Sequence, residues 1–228
     1  MGFRIATYNI HRCIGRDGVA DPRRIARVLR TLDADVVALQ EVAFEPGAPG
    51  NVLQTLAEGA RARAYPGPTL LETGGRYGNA VLSRIPPREV RRVDISMPGR
   101  EPRGVLQLVL GTPAATVSLL ATHLGLSAEE RRRQMDRIRL LLPNQADAVT
   151  VLMGDFNEWR PWGGTLRRLR RIFTASPAPP TFPSRRPFLA LDRIWVRPAH
   201  RLKTLRVCKG AHAREASDHL PLVADLAL

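Results

Sequence analysis

Lysine is almost missing from this 228-residue chain: of its 35 basic residues only Lys203 and Lys209 are lysines, and the rest are arginine. Cysteine is equally scarce. Cys13 and Cys208 are too few for a disulfide framework or a cysteine-rich zinc cluster, so a reducing, cytoplasmic setting is expected. No stretch approaches the ~20 consecutive apolar residues that cross a bilayer. Met1-Gly2-Phe3-Arg4-Ile5 enters a strand directly, without the basic segment and apolar run of a secretion signal. A soluble chain with no integral membrane segment is the expectation. Aromatics are only 5% of the residues, which leaves few flat side chains to grip bases. Acidic residues are also short: 21 Asp and Glu against 35 Lys and Arg leave a formal charge of +14 at pH 7. That excess suits polyanionic partners, whether nucleic acid, anionic lipid headgroups or phosphorylated small molecules. A GC-rich coding sequence produces the same arginine bias, so charge alone does not choose among them.

What is present is a succession of apolar runs alternating with amphipathic segments, the pattern of an α/β chain forming one domain over 1–228. Gly2 to Tyr8 reads as a strand ending at Asn9. Asp21-Pro22 supplies an N-cap and a first-turn proline for a helix with Ile25, Val28, Leu29 and Leu32 on one face. Asp35 to Leu39 is a buried strand ending in Gln40-Glu41, followed by a loop from Phe44 to Gly50 and a helix from Asn51 to Arg63. Tyr77 begins a strand that runs to Arg84, and Pro86-Pro87 breaks the chain beyond it. Gly104–Leu110 and Ala115–Thr122 make a hairpin across Gly111-Thr112-Pro113. Ser127-Ala128-Glu129-Glu130 is a capping-box pattern for a helix to about Leu142, with Met135, Ile138, Leu141 and Leu142 inward and the arginines outward. A short helix closes at Arg171, a loop runs from Ala175 to Pro187, and strands over 189–196, 201–207 and 220–226 end the chain.

The densest signal is 148–157, where Ala-Val-Thr-Val-Leu-Met climbs as a doubly buried strand and stops at Gly154, Asp155, Phe156 and Asn157. Strand ends are where α/β sheets place their chemistry. Other strand ends carry Asn9, Glu41, Asn79, His123, Asp192, Asp218 and His219. Carboxylates and carboxamides without zinc spacing suit a hard, oxygen-preferring ion such as Mg²⁺, with Mn²⁺ as the alternative. Histidines and asparagines beside such an ion suit a transition state that gathers negative charge on phosphoryl oxygens.

Thr7-Tyr8-Asn9-Ile10, Gln40-Glu41, Gly78-Asn79-Ala80-Val81-Leu82-Ser83, Thr122-His123-Leu124, Gly154-Asp155-Phe156-Asn157, Leu191-Asp192-Arg193-Ile194 and Ser217-Asp218-His219-Leu220-Pro221 occur in that order. The set resembles the endonuclease/exonuclease/phosphatase superfamily, which includes DNase I-like nucleases, abasic-site endonucleases, neutral sphingomyelinases and inositol polyphosphate phosphatases. The resemblance implies a four-layer α/β sandwich, two mixed β-sheets packed face to face and flanked by helices. It implies Glu41 as the principal Mg²⁺ ligand, with Asn9 and Asp218 on the metal side. It implies Asp155 positioning or deprotonating the attacking water, Asn157 donating to phosphate oxygens, His219 paired with Asp192, and His123 as a second phosphate-facing imidazole. Asp155 and His219 both stay open as the base. Asn79, Tyr77 and Arg103 fall where phosphate-site supports are placed. The implied activity is hydrolysis of a phosphoester, with DNA the favoured substrate and a monomer the expected state. Phospholipid, sphingomyelin or inositol-phosphate substrates are the alternative, and a non-catalytic binder of nucleic acid or phosphoinositide is a different-class one.

Overall fold

Alternation along the strands divides the apolar residues between two sheets and sets which side chains meet. A computed structural model describes residues 2–44, 51–72, 75–143, 148–174 and 176–228. One sheet has six strands, in the order β10 (Leu202–Val207), β11 (Leu222–Ala227), β1 (Gly2–Asn9), β2 (Val36–Phe44), β4 (Gly75–Ser83), β3 (Arg63–Glu72). The other has five, in the order β5 (Pro87–Asp94), β6 (Gly104–Gly111), β7 (Thr116–His123), β8 (Val149–Asp155), β9 (Asp192–Arg197). Both are mixed, because β1 runs parallel to β2 and β7 parallel to β8 while their other neighbours are antiparallel.

Phe3 and Ile5 of β1, Val36 and Ala38 of β2, Leu119 and Ala121 of β7, Val151 and Met153 of β8, and Ile194 of β9 all point into one shared inter-sheet core. The opposite faces are covered by helices. Ala6, Tyr8, Val37 and Leu39 pack under α1 (Pro22–Leu32), α2 (Val52–Ala60) and α5 (Ala211–Ala216). Leu120, Leu152 and Trp195 pack under α3 (Ala128–Leu141) and α4 (Gly164–Phe173). The result is the expected four-layer sandwich. Among the described residues no helix is long and apolar enough to cross a membrane.

The helix signals behave as their chemistry demands. Asp21 caps α1 by accepting from Arg23 N at 2.9 Å, and Ile25, Val28, Leu29 and Leu32 are buried. The capping box at Ser127 is complete, with Ser127 Oγ accepting from Glu130 N at 3.2 Å and Glu130 reaching back to the Ser127 N–H. Ser127→Ala removes a cap worth ~1 kcal/mol, so its urea midpoint should fall accordingly without loss of fold.

Several expectations need correction. Both β3 and β5 are strands despite Pro66, Pro68 and Pro87, and each lies at a sheet edge, where a missing N–H costs no ladder bond. A short helix, α5, precedes β11, which starts at Leu222 rather than Leu220. Phe44 ends β2 instead of opening a loop, while 45–50 and Ala175 lie outside the described residues. On α3, Met135 and Ile138 are inward and Leu141 and Leu142 half-buried, but Arg131 is buried rather than outward-facing. Its guanidinium meets the buried Glu158 carboxylate at 3.3 Å, which is what permits a charge there.

Candidate active site

The alternation that builds the inter-sheet core runs on past its last apolar residue. Phe3, Ile5 and Thr7 are followed on the same face by Asn9; Val117, Leu119 and Ala121 by His123; Val149, Val151 and Met153 by Asp155; and Ile194 is preceded by Asp192. Register then aligns the polar ends, since His123 pairs with Asp155 and Asp155 with Asp192 across adjacent strands. All are buried, Asp155 to 1% exposure and Asp192 to 0%.

Glu41 arrives by a different device. Val37 and Leu39 face the helices, and strict alternation would send Glu41 there too. A register shift between Leu39 and Val42 and a left-handed backbone at Glu41 (φ 58°) turn it instead toward Asn9. Asn9 Nδ2 donates to Glu41 Oε1 at 2.9 Å and to Asp155 Oδ2 at 3.0 Å. Beyond Asn9, His11, Arg12 and Cys13 all have positive φ, at a conformational cost of ~1–2 kcal/mol each. That turn lays the Arg12 guanidinium over the Tyr77 ring, 4.5 Å from its centre.

Asp155 sits between two imidazoles, with His123 Nε2 at 3.6 Å and His219 Nε2 at 3.7 Å from its Oδ2. The two rings are electrically unlike. Burial alone would lower the His219 pKa, but the hydrogen-bonded Asp192 charge, with Asp155 and Asp218, outweighs it and raises the pKa to about 10. Its Nδ1 lies 2.8 Å from Asp192 Oδ2, which also accepts from Thr181 Oγ1 at 2.6 Å, and Phe182 packs against the ring at 4.9 Å. His123 is pushed down to about 3 because burial is joined by the nearby Arg103 charge and outweighs the pull of Asp155. Arg103 Nη1 donates to His123 Nδ1 at 3.0 Å, and the ring's Nε2 faces Asn157 and Asp155. Asn157 Nδ2 is 3.1 Å from that Nε2 and donates to the Leu124 carbonyl at 2.8 Å. One charged and one neutral imidazole flanking a carboxylate separate the capacities for donating and accepting protons.

These groups line a cleft of about 530 Å³ whose walls include Glu41, Tyr77, Arg103, His123, Asp155, Asn157 and His219. Asn9 and Asp192 support it through the bonds above, and buried Asn79 does so by donating to the Gly104 carbonyl at 3.2 Å. Asp218 stands differently: its carboxylate lies 3.3 Å from Ser217 Oγ and 3.9 Å from His11 Nδ1. Sequence reasoning misses Arg12, Thr181, Phe182 and the Glu101 carboxylate, which accepts from Arg103 Nη2 at 2.9 Å. Glu101 adjoins Arg103 in sequence, but Thr181 and Phe182 lie in a loop whose composition carries no site signal.

Glu41 and Asp155 set two anionic oxygens against a single neutral amide, a donor set that fits a hard divalent cation. Asp155, Asp192 and His219 also bring one ligand atom each within 4.8 Å of one another. His219 Nδ1 is already committed to Asp192, so that second cluster is better described as an ion-pair chain.

The model of the endonuclease/exonuclease/phosphatase family matches residues 6–219. The chain belongs to this family. Family members in general hydrolyse phosphoesters and use a divalent metal. Escherichia coli K-12 YbhP is 31% identical over 249 residues, spanning 100% of this chain and 97% of that protein. The crystal structure of an endonuclease/exonuclease/phosphatase from Beutenbergia cavernae has a TM-score of 0.84 and 29% identity, over 100% of this chain and 72% of that one. D. rerio TDP2 complexed with a single-strand DNA product gives a TM-score of 0.71 at 16% identity, over 100% and 99% of the two chains, a likeness of fold.

Proposed function

We propose that the whole chain acts as one magnesium-dependent phosphodiesterase that cuts DNA by direct attack of water on phosphorus. The observation that carries this reading is the position of Asp155, with the Glu41 carboxylate reached through Asn9 on one side and two imidazoles within 3.7 Å on the other. Glu41, Asn9 and Asp218 are the residues assigned to hold Mg²⁺, or Mn²⁺ in its place. Bound there, the ion supplies Lewis-acid polarisation of a phosphoryl oxygen.

The remaining roles belong to the chain. Asp155 orients and deprotonates the water. His219, with Nδ1 held by Asp192, presents Nε2 to the oxygens that gain charge, and Asn157 adds a further donor beside the phosphate-facing His123. Arg103, Tyr77 and Asn79 support the phosphate side of the cleft. The charge of +14 favours a polyanion, and the TDP2 neighbour with its DNA product shares the fold. Two free cysteines accord with a reducing, cytoplasmic setting.

A substrate panel tests the reading: single- and double-stranded DNA, RNA, sphingomyelin, inositol phosphates and a chromogenic diester, each with Mg²⁺, Mn²⁺ or EDTA. DNA should be cut fastest, only with metal, and with a steep fall as salt rises. Preference for lipid or inositol phosphate would redirect the substrate assignment. Binding without hydrolysis of anything would overturn the enzymatic one.

A further inference from the structure

The loop that carries Asn157 does not end at the phosphate cleft. The next residues are Glu158, Trp159, Arg160, Pro161 and Trp162, and both tryptophans are exposed, Trp159 to 49% and Trp162 to 70%. Large apolar side chains left in water beside a catalytic cleft call for an occupant. With Leu126, itself 74% exposed, they wall a second hollow of about 390 Å³. Leu126 lines both this hollow and the phosphate cleft, so the two adjoin.

The floor of the hollow is polar. Arg131 and Glu158, 5% and 2% exposed, pair there at 3.3 Å, and Arg131 Nε has no hydrogen-bond partner among the described residues. On the rim, the Arg160 guanidinium lies 4.9 Å from the centre of the Trp159 ring. Aromatic walls above a carboxylate–guanidinium floor match a heterocycle that has both a flat face and a hydrogen-bonding edge. A hydrocarbon chain matches poorly, because it would bring no polar edge to the Arg131–Glu158 pair or to the Arg160 guanidinium on the rim. The adjacent rim arginine and the net positive charge suit a base that arrives on a phosphate backbone.

We infer that Trp159, Trp162 and Leu126 form a pocket for an unpaired nucleobase flanking the scissile phosphate, with Arg131 and Glu158 meeting its polar edge. This rests on the DNA reading above and narrows it to single-stranded or frayed DNA. A base still stacked in a duplex does not offer both faces and its pairing edge to such a pocket.

Tryptophan fluorescence tests the inference directly. The chain has three tryptophans, and Trp195 is buried at 2% exposure, so added ligand reads out on the other two. On an Asp155→Asn background with Mg²⁺ present, a short oligothymidylate should quench the emission and bind. A strand of abasic sites with the same number of phosphates should bind more weakly without quenching. Trp162→Ala should weaken oligothymidylate binding by about 5- to 150-fold, the range that corresponds to ~1–3 kcal/mol per stacked base, and leave abasic-strand affinity unchanged. Equal affinity for the two strands, or oligothymidylate binding indifferent to Trp162→Ala, would overturn the pocket and leave the DNA reading standing. Failure of the wild-type protein to bind or cut either strand while it hydrolyses a chromogenic diester would instead overturn the DNA reading. Quenching by phosphatidylglycerol vesicles but not by oligothymidylate would reassign the surface to a membrane.

Discussion

Asp155→Asn should lower phosphodiester hydrolysis by about 10²–10⁴-fold, the contribution of a positioned general base. The substitution keeps the shape of the side chain and removes the charge at the point where Asn9, His123 and His219 converge. Little of the loss should come from unfolding. Asp155 is 1% exposed and shares one amide donor with Glu41, so the wild-type site holds two carboxylates close together. Neutralising one relieves repulsion from Glu41 and removes attraction to the His219 imidazolium, two opposed effects, so the thermal midpoint should move little while activity collapses. The checks are steady-state kinetics and a melting curve on the same preparation. A variant within a few-fold of wild type would remove Asp155 from the chemistry.

Gly154→Ala should damage both fold and activity. The glycine has φ 147°, and an added Cβ would sit 1.8 Å from the Thr122 carbonyl oxygen. Thr122 is its register partner across the parallel β7–β8 pair, and the next pair along is His123 with Asp155. The backbones must therefore part at the point that sets the spacing of two site residues. A cost on the order of 3–5 kcal/mol is expected, a large share of the ~5–15 kcal/mol that stabilises an ordinary domain. Urea unfolding should show the midpoint falling and the residual activity collapsing with it. A wild-type midpoint would mean that the strands separate easily here and that register does not fix the site.

These two neighbours also show how far the sequence is legible. Asp155 can be found because a doubly buried strand announces itself by composition and a polar residue at its end breaks that composition. Asn9, His123 and Asp192 stand out in the same way. Glu41 is marked by its resemblance to a family pattern, yet its orientation depends on a bulge that period-two reasoning cannot see. Strands β3 and β5 escape notice because proline reads as a breaker, whereas an edge strand loses nothing by lacking an N–H toward solvent. Arg131 is expected to face outward because arginine in a charged helix normally does; its burial comes from Glu158, 27 residues away. Thr181, which holds Asp192 in place, sits in a proline-rich loop whose course is set by tertiary contacts such as Leu220 N to Thr181 O at 2.9 Å. Local pattern therefore locates the chemistry on the strands, while the residues that orient it come from long-range packing.

The central claim is metal-assisted phosphoester hydrolysis at the rim between the two sheets, and a magnesium titration of DNA cleavage tests it most directly. Wild-type protein and Glu41→Gln should be compared from EDTA through saturating Mg²⁺. The account predicts no cleavage in EDTA, recovery on adding Mg²⁺, and a Glu41→Gln midpoint shifted at least about tenfold toward higher metal, on the order of one lost charged ligand interaction. Hydrolysis that persists in EDTA, or a Glu41→Gln titration that overlays the wild type, would contradict it.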